Sequence, residues 1–490
     1  MKHVSLAIAV LTLAALGGLL LTPAGSVGQP QQGLGAAPQA RVAPAHVADA
    51  VPFQTKDGKV KGWKLVIPGN RPLATPAVVG GKVFIGGGFG SHEFYAFDAT
   101  TGKKVWQYQT ADDGPTAAVV EGDAIAFNTE SCELEIITAA GKPVWKKWLG
   151  DPLMSMPAIA DGKVFMAYPD SKHGGQHYLA AFGLKTGNEL WKAKIAGEII
   201  TAPVIDNQRV YLATLEGTVY CFKQDDGSLV WQEKKNATSS PLVYDGRCYY
   251  SRRDEVTVKK GGKDVKQQNE QLAGRGTGKD GKSNGYVATT RPADYLDYSK
   301  RAASAGEKAL QGQDAAVGFG GLGGLGGGVG APNKGASKIQ QAQMNLGQAS
   351  VAGVWSYQGS RPFAYQGRLY SGMGDTLECV DPKTEKVLWK QTLRKGKGPV
   401  LDSSLTPPAL VNGKVFVGTA RGAVQCRSAK TGELLWSADV GEPVVFQPAV
   451  ARGRVYVSTS TGHLYCLETG DPKDDGWLMW GGSAAHNGLR

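Results

Sequence analysis

One short block recurs eight times along this chain, and no other feature restricts its fold as strongly. A Gly, a basic residue, an apolar residue and an aromatic come together at Gly81-Lys82-Val83-Phe84, Gly162-Lys163-Val164-Phe165 and Gln208-Arg209-Val210-Tyr211. The block returns at Gly246-Arg247-Cys248-Tyr249, Gly367-Arg368-Leu369-Tyr370, Gly413-Lys414-Val415-Phe416 and Gly453-Arg454-Val455-Tyr456, and Gly122-Asp123-Ala124-Ile125 is read as a divergent copy. Seven copies carry a proline five positions upstream: Pro76, Pro157, Pro203, Pro241, Pro362, Pro408 and Pro448, with Ala117 in the divergent one. Proline donates no ladder hydrogen bond, so it belongs at the start of a strand.

A tryptophan closes each unit: Trp106, Trp145, Trp191, Trp231, Trp355, Trp389 and Trp436, with Trp63 ahead of the first copy. Four residues before the Trp stands Gly102, Gly141, Gly187, Gly227 or Gly432, and Glu385 in one copy. Glycine at that place supplies the positive φ of a tight hairpin. The phase is clearest in AFDATTGKKVW at 96–106, CFKQDDGSLVW at 221–231 and CRSAKTGELLW at 426–436. Four short strands per repeat of about 40 residues describe a propeller blade. A sheet that small cannot bury both faces alone, so the blades stack in a ring. The expectation is an all-β, eight-bladed β-propeller of four-stranded antiparallel blades. Two sandwich domains are the rival, but sandwiches do not repeat one Pro, Gly and Trp phase eight times.

The last blade lacks a fourth strand of its own. Trp63 is expected to supply it from the N-terminal side, with Trp477 as the alternative. A second irregularity falls in blade five, where successive blocks lie 121 residues apart. Its third strand is expected at Glu255 to Lys259 and its fourth around Trp355. Residues 260–348 between them read as a disordered, basic, Gly-rich insertion, because a run such as GFGGLGGLGGGVG cannot build a core. The propeller then occupies 56–259 and 349–490.

Residues 1–26 have a short basic start, an apolar stretch and a small-residue exit, which describe a signal peptide. Residues 27–55 read as a flexible leader. A periplasmic or secreted chain follows, with no transmembrane segment once processed. The net charge of +11 concentrates in 259–348, so it does not argue for a nucleic-acid-binding face. Cys221, Cys379, Cys426 and Cys466 share one blade position, too far apart for disulfides. They and Cys132 and Cys248 are expected to be free.

The AFDATTGKKVW-type block and the tail WLMWGGSAAHNG resemble the repeat of pyrroloquinoline-quinone (PQQ) dehydrogenases and of their non-enzymatic, BamB-like relatives. For the enzymes the resemblance implies a funnel holding the quinone and a calcium ion, an aspartate base, and a disulfide between adjacent cysteines. This chain has no adjacent cysteine pair. Asp98, Asp225, Asp226 and Asp381 fall in turns, where Asp is a turn former. Thr75, Met156, Ser240, Arg361 and Gln447, which precede strand-opening prolines, are expected near one channel mouth. His173 and His177, in HGGQH, read as a loop pair. No catalytic, cofactor-binding or metal residue is singled out. The expected function is a non-catalytic scaffold for protein partners or a ligand, monomeric, with PQQ and calcium left open. A quinoprotein oxidoreductase is the alternative.

Overall fold

The computed structural model describes residues 46–476 apart from 89, 151–154, 171–175, 198, 200–201, 215, 282–289, 293–361, 374–375, 394–404 and 445. Eight antiparallel sheets hold these residues, and the innermost strands of successive sheets touch in a closed cycle. The fold is therefore an eight-bladed propeller, and no described residue is helical. Blade one shows the plan: Ala77–Val79 innermost, then Lys82–Gly86, Glu93–Asp98 and Lys104–Gln109 at the rim.

The hairpins between first and second strands explain the Gly-basic block. In blades one and three both turn residues have positive φ: Gly80 and Gly81, then Asp161 and Gly162. That is a type I′ turn, whose twist matches the strands it joins. Blade two departs from this plan, because only Gly122 has positive φ, as in a type II′ turn. Glu121 pairs with Ala124 there, just as Asp206 pairs with Arg209 in blade four. The divergent copy is thus one residue out of phase as read from sequence: Asp123 takes the place expected for Gly122, and Ala118 takes the proline place expected for Ala117.

Each Trp works between blades. In most blades register sets it opposite a small residue on the third strand, Trp106 against Ala96, Trp231 against Cys221 and Trp436 against Cys426, whereas Trp145 faces Ile136. An aromatic of the second strand sits on the far side of that small residue. Ring centroids are 5.9 Å apart for Phe84 and Trp106, 6.1 Å for Tyr211 and Trp231, and 6.0 Å for Tyr370 and Trp389. The small residue lets the two rings meet, which accounts for the alternation of Ala and Cys there.

The Trp then reaches the next blade. Its indole Nε1 donates to a backbone carbonyl: Trp106 to Ala139 at 3.1 Å, Trp145 to Leu184 at 2.7 Å, Trp191 to Gln224 at 2.9 Å and Trp389 to Ala429 at 3.0 Å. The ring lies on the hairpin glycine of that blade. A Cβ at Gly227 would stand 2.4 Å from Cε3 of Trp191, and one at Gly141 2.8 Å from Cδ2 of Trp106. Those glycines answer two demands together, positive φ and close approach of an indole.

The ring is closed from the N-terminal side. Lys61–Val66 becomes the fourth strand of blade eight, Trp63 pairing with Cys466, and Val51–Gln54 adds a fifth strand outside it. Trp63 packs on Gly102 of blade one, and Tyr456 donates to Ala99 O at 2.9 Å across the same seam. The alternative closer, Trp477, lies outside the described residues. The start of the tail still ties down blade eight: Gly476 bridges to Val450, and Lys414 of blade seven meets the buried Asp474 at 2.8 Å.

Blade five corrects the sequence reading. Glu255 to Lys259 is not its third strand but the far end of its second, Arg247–Lys260, and the third strand is Lys263–Gly276. The segment taken as insertion therefore contributes a strand to the ring. Among the described residues its fourth strand is Thr290–Pro292, paired with Asn269–Gln271. Trp355 itself lies outside the described residues, as do 293–361. The repeat block survives there in degenerate form as AGRGTGKDG, 273–281. Tyr249 pairs with Gly274 as Tyr211 pairs with Cys221, and Trp231 Nε1 donates to Thr277 O at 2.9 Å. In blade six Glu385 keeps positive φ in place of glycine.

The indole and glycine act as one unit, so their substitutions are expected to be non-additive. Trp191→Ala should cost about 3–5 kcal/mol and Gly227→Ala should also lower the melting temperature. With the indole gone the added methyl meets no ring, so the double variant should lose clearly less than the two shifts together, measured by calorimetry.

Candidate functional site

In a four-stranded antiparallel blade the loops after the second strand and after the fourth strand share one face. On that face a threonine recurs just after the second strand. Thr129, Thr214, Thr419 and Thr459 each accept, through Oγ1, the N–H of the residue four places on, at 3.0–3.2 Å. A positive-φ residue stands within each loop: Cys132, Gly217, Gly422 and Gly462. Cys132, unplaced by the sequence reading, thus occupies a glycine position.

Two of these loops are joined to the preceding blade by a carboxylate. Between blades one and two, Asp112 accepts from Thr129 Oγ1 at 2.5 Å, Ser131 N at 2.8 Å and Ser131 Oγ at 2.9 Å. Between blades seven and eight, Glu442 takes the same place. It accepts from Thr459 Oγ1 at 3.1 Å and from the Tyr465 hydroxyl at 2.9 Å, and lies 2.6 Å from His463 Nδ1. Sequence reasoning missed both, because the carboxylate and its loop lie 17–19 residues apart and no spacing rule joins them.

The seam between blades one and two is strongly acidic. Glu130 Oε1 accepts the Gly90 N–H at 2.5 Å and packs against Gly114, where a Cβ would come within 2.1 Å of it. Burial, and after it the Asp113 carboxylate, push the Glu130 carboxyl up to about 8. Burial also raises Glu135 to about 7, opposed by the Tyr108 hydroxyl, which donates to its Oε2 at 2.6 Å. Burial outweighs the nearby Arg71 and Lys146, which pull the two carboxyls the other way.

Other residues singled out from sequence fall in structural roles. Thr75, Met156, Ser240 and Gln447 are all buried, so they do not line an open mouth, and Arg361 lies outside the described residues. His177 is not in a loop but buried within the strand Gln176–Gly183; His173 lies outside the described residues. Asp98, Asp226 and Asp381 cap their turns, accepting backbone N–H groups at 2.7–2.9 Å; these bonds, and for Asp226 first the Ser228 hydroxyl at 2.6 Å, hold their carboxyls below the usual range. Asp225 meets Lys163 at 2.7 Å. All six cysteines are buried and none is joined in a disulfide.

The family model described as outer membrane protein assembly factor BamB matches residues 21–146, 96–178, 133–271 and 373–480. The chain belongs to this PQQ-like repeat family. A BamB of Burkholderia pseudomallei is 26% identical over 169 residues, 34% of this chain and 32% of that protein. The quinoprotein alcohol dehydrogenase PedH of Pseudomonas putida is 27% identical over 133 residues, 24% of this chain and 22% of PedH. The chain thus matches a third or less of the length of these relatives. BamB from Moraxella catarrhalis shares the fold with a TM-score of 0.51 and 14% identity, over 86% of this chain and 98% of its own.

Quinone enzymes of this family would need a calcium cage of hard oxygen ligands, against which the described residues can be compared. No group of three or more His, Cys, Asp or Glu among them is placed to hold a metal ion. Two buried amides near the ring's inner strands donate through nitrogen, Asn128 to Ser155 O and Gln447 to Pro408 O, at 3.0 and 2.9 Å, and leave Oδ1 and Oε1 without a hydrogen-bond partner. Their remaining oxygens belong to blades two and eight, with blade one between them.

The acidic seam predicts a pH dependence. A carboxyl raised on folding contributes stability that is fully present below its unfolded value and is lost as pH rises through the folded one. For Glu130 that window runs from 4.5 to about 8. Glu130→Gln keeps an acceptor for Gly90 N–H, so its melting temperature should fall less than that of the parent as pH rises through this window. Parallel melting curves would refute the assignment.

Proposed function

We propose that this chain is an exported, non-catalytic scaffold of the BamB-like kind, holding protein partners on the loop-bearing face of the ring. The observation that carries this reading is the state of the strand-opening residues. Thr75, Met156, Ser240 and Gln447 are buried. A redox cofactor brings its own chemistry but requires hard oxygen ligands and a positioned base facing a cavity. Here the polar groups at that level serve contacts between blades. Family membership and the names of the BamB relatives support a role in assembly, and the N-terminal apolar stretch supports export. The quinoprotein relatives share the repeat, which specifies the fold and not the activity.

Calorimetric titration of the purified protein with PQQ in the presence of calcium tests the proposal. No saturable heat is expected, and no dye-linked alcohol oxidation. Calcium-dependent binding of PQQ with turnover of an alcohol would replace the scaffold by the oxidoreductase.

A further inference from the structure

Blade five carries a ribbon that no other blade has. Its second and third strands run 14 residues each, Arg247–Lys260 and Lys263–Gly276, where second and third strands elsewhere run five to eight. The inner strand of the blade pairs only with Arg247 to Tyr249, and a single bridge joins Ala237 to Arg252. Beyond Arg252 no described strand pairs with that edge. Past the pair of Asp254 and Asn269, where Thr290–Pro292 ends its pairing, the two strands run on for six residues, about 20 Å. A free two-stranded ribbon is marginally stable, and an unpaired edge is a template for another strand.

The order of residues on that edge says which strand fits. Asp254-Glu255-Val256-Thr257-Val258-Lys259-Lys260 is complementary to itself when run antiparallel about Thr257. Asp254 then faces Lys260 of the other copy, Glu255 faces Lys259, Val256 faces Val258, and Thr257 faces Thr257. Opposite charges directly across a ladder stabilise it, and like charges destabilise it.

The backbone permits the same register. Lys260 and Lys263 close the ribbon over Gly261 and Gly262, both with positive φ, as in a type I′ turn. The closing pair of such a turn is hydrogen-bonded, so Lys260, Val258 and Val256 spend their N–H and C=O groups within the ribbon. Glu255, Thr257 and Lys259 therefore point theirs outward. In a pairing centred on Thr257 these outward residues meet one another, giving about six inter-chain backbone hydrogen bonds. Shifting by one residue sets outward groups against inward ones. Shifting the centre to Val256 or Val258 keeps the hydrogen bonds but loses both charge matches.

The side chains agree. Val258 pairs with Val265, and Val256 lies on the same face, with Val265 38% exposed. None of the three belongs to a core cluster of the propeller. Joining two ribbons would bring their valines onto one face of a four-stranded sheet. The opposite face stays polar, with Lys266 2.7 Å from Glu255.

We propose that the blade-five ribbon is a homotypic docking edge, joining two copies of this chain through antiparallel pairing of Asp254–Lys260 about Thr257. The interface is isologous, so a C2 dimer closes without open-ended growth. It departs from the monomer expected from sequence, and it goes beyond the scaffold reading without depending on it.

Sedimentation velocity of the purified full chain tests this, from roughly micromolar to hundreds of micromolar protein. The parent should show a concentration-dependent monomer–dimer equilibrium. Glu255→Lys sets lysine against Lys259 at two symmetric places and should weaken the dimer at least about tenfold. Adding Lys259→Glu restores both pairs with their signs exchanged and should recover dimerisation. Equal melting temperatures of the three proteins would show that the substitutions act on the edge. A parent that stays monomeric throughout overturns the proposal, as does a double variant no better than the single. Either failure leaves the PQQ titration, and the scaffold reading it tests, untouched.

Discussion

The seat of one indole on one glycine of the next blade is the contact from which the rest of this ring follows. A four-stranded blade buries little by itself, and its stability lies in the seam with its neighbour. There the Trp brings a large apolar surface, an Nε1–H that satisfies a backbone carbonyl, and a flat ring that only a residue without Cβ can receive. The aromatic of the second strand and the small residue between them complete the stack. Repetition of these four chemistries is repetition of a seam.

Ring closure and blade five are two places where the described seams are made differently. At the closure the chain crosses its own ends: Trp63 comes from the N-terminal side, seats on Gly102, and leaves Val51–Gln54 to cover the outer edge. In blade five the third strand lacks the usual aromatic-rich block, and Arg275 takes part in the seam instead. Its guanidinium lies 3.8 Å from the Trp231 ring centroid and 2.8 Å from Glu233. A stacked cation paired with a carboxylate covers the indole where Phe222 or Phe182 would stand in another blade. Freed from the common block, the same two strands run past the blade as a ribbon.

The loop-bearing face shows how one framework makes unlike local environments. Asp112 and Glu442 take equivalent places, each gripping a threonine turn of the next blade. The Glu442 site holds a histidine and a tyrosine, whereas the equivalent positions beside Asp112 are Glu133 and Glu135. The second seam is therefore crowded with carboxylates, and burial raises the Glu130 and Glu135 carboxyls well above the usual range. What differs between the two is a few side chains on an unchanged backbone.

Periodicity alone determined the all-β class, the number of blades and most of the Trp and Gly seams, because each blade solves the same local problem with residues a few places apart. It also placed Trp63 as the closing residue, since an odd Trp lay ahead of the first block. Tertiary structure decided whatever depended on pairing between distant stretches. The type II′ turn shifted blade two by one residue, a change visible only once Glu121 is seen against Ala124. The third strand of blade five was hidden because AGRGTGKDG keeps the turn but not the aromatic and tryptophan that mark it elsewhere. The acidic seam and the burial of Thr75, Met156, Ser240 and Gln447 were invisible for the same physical reason. Whether a side chain faces solvent, a cavity or the next blade is set by packing across the ring, which no spacing within one repeat records.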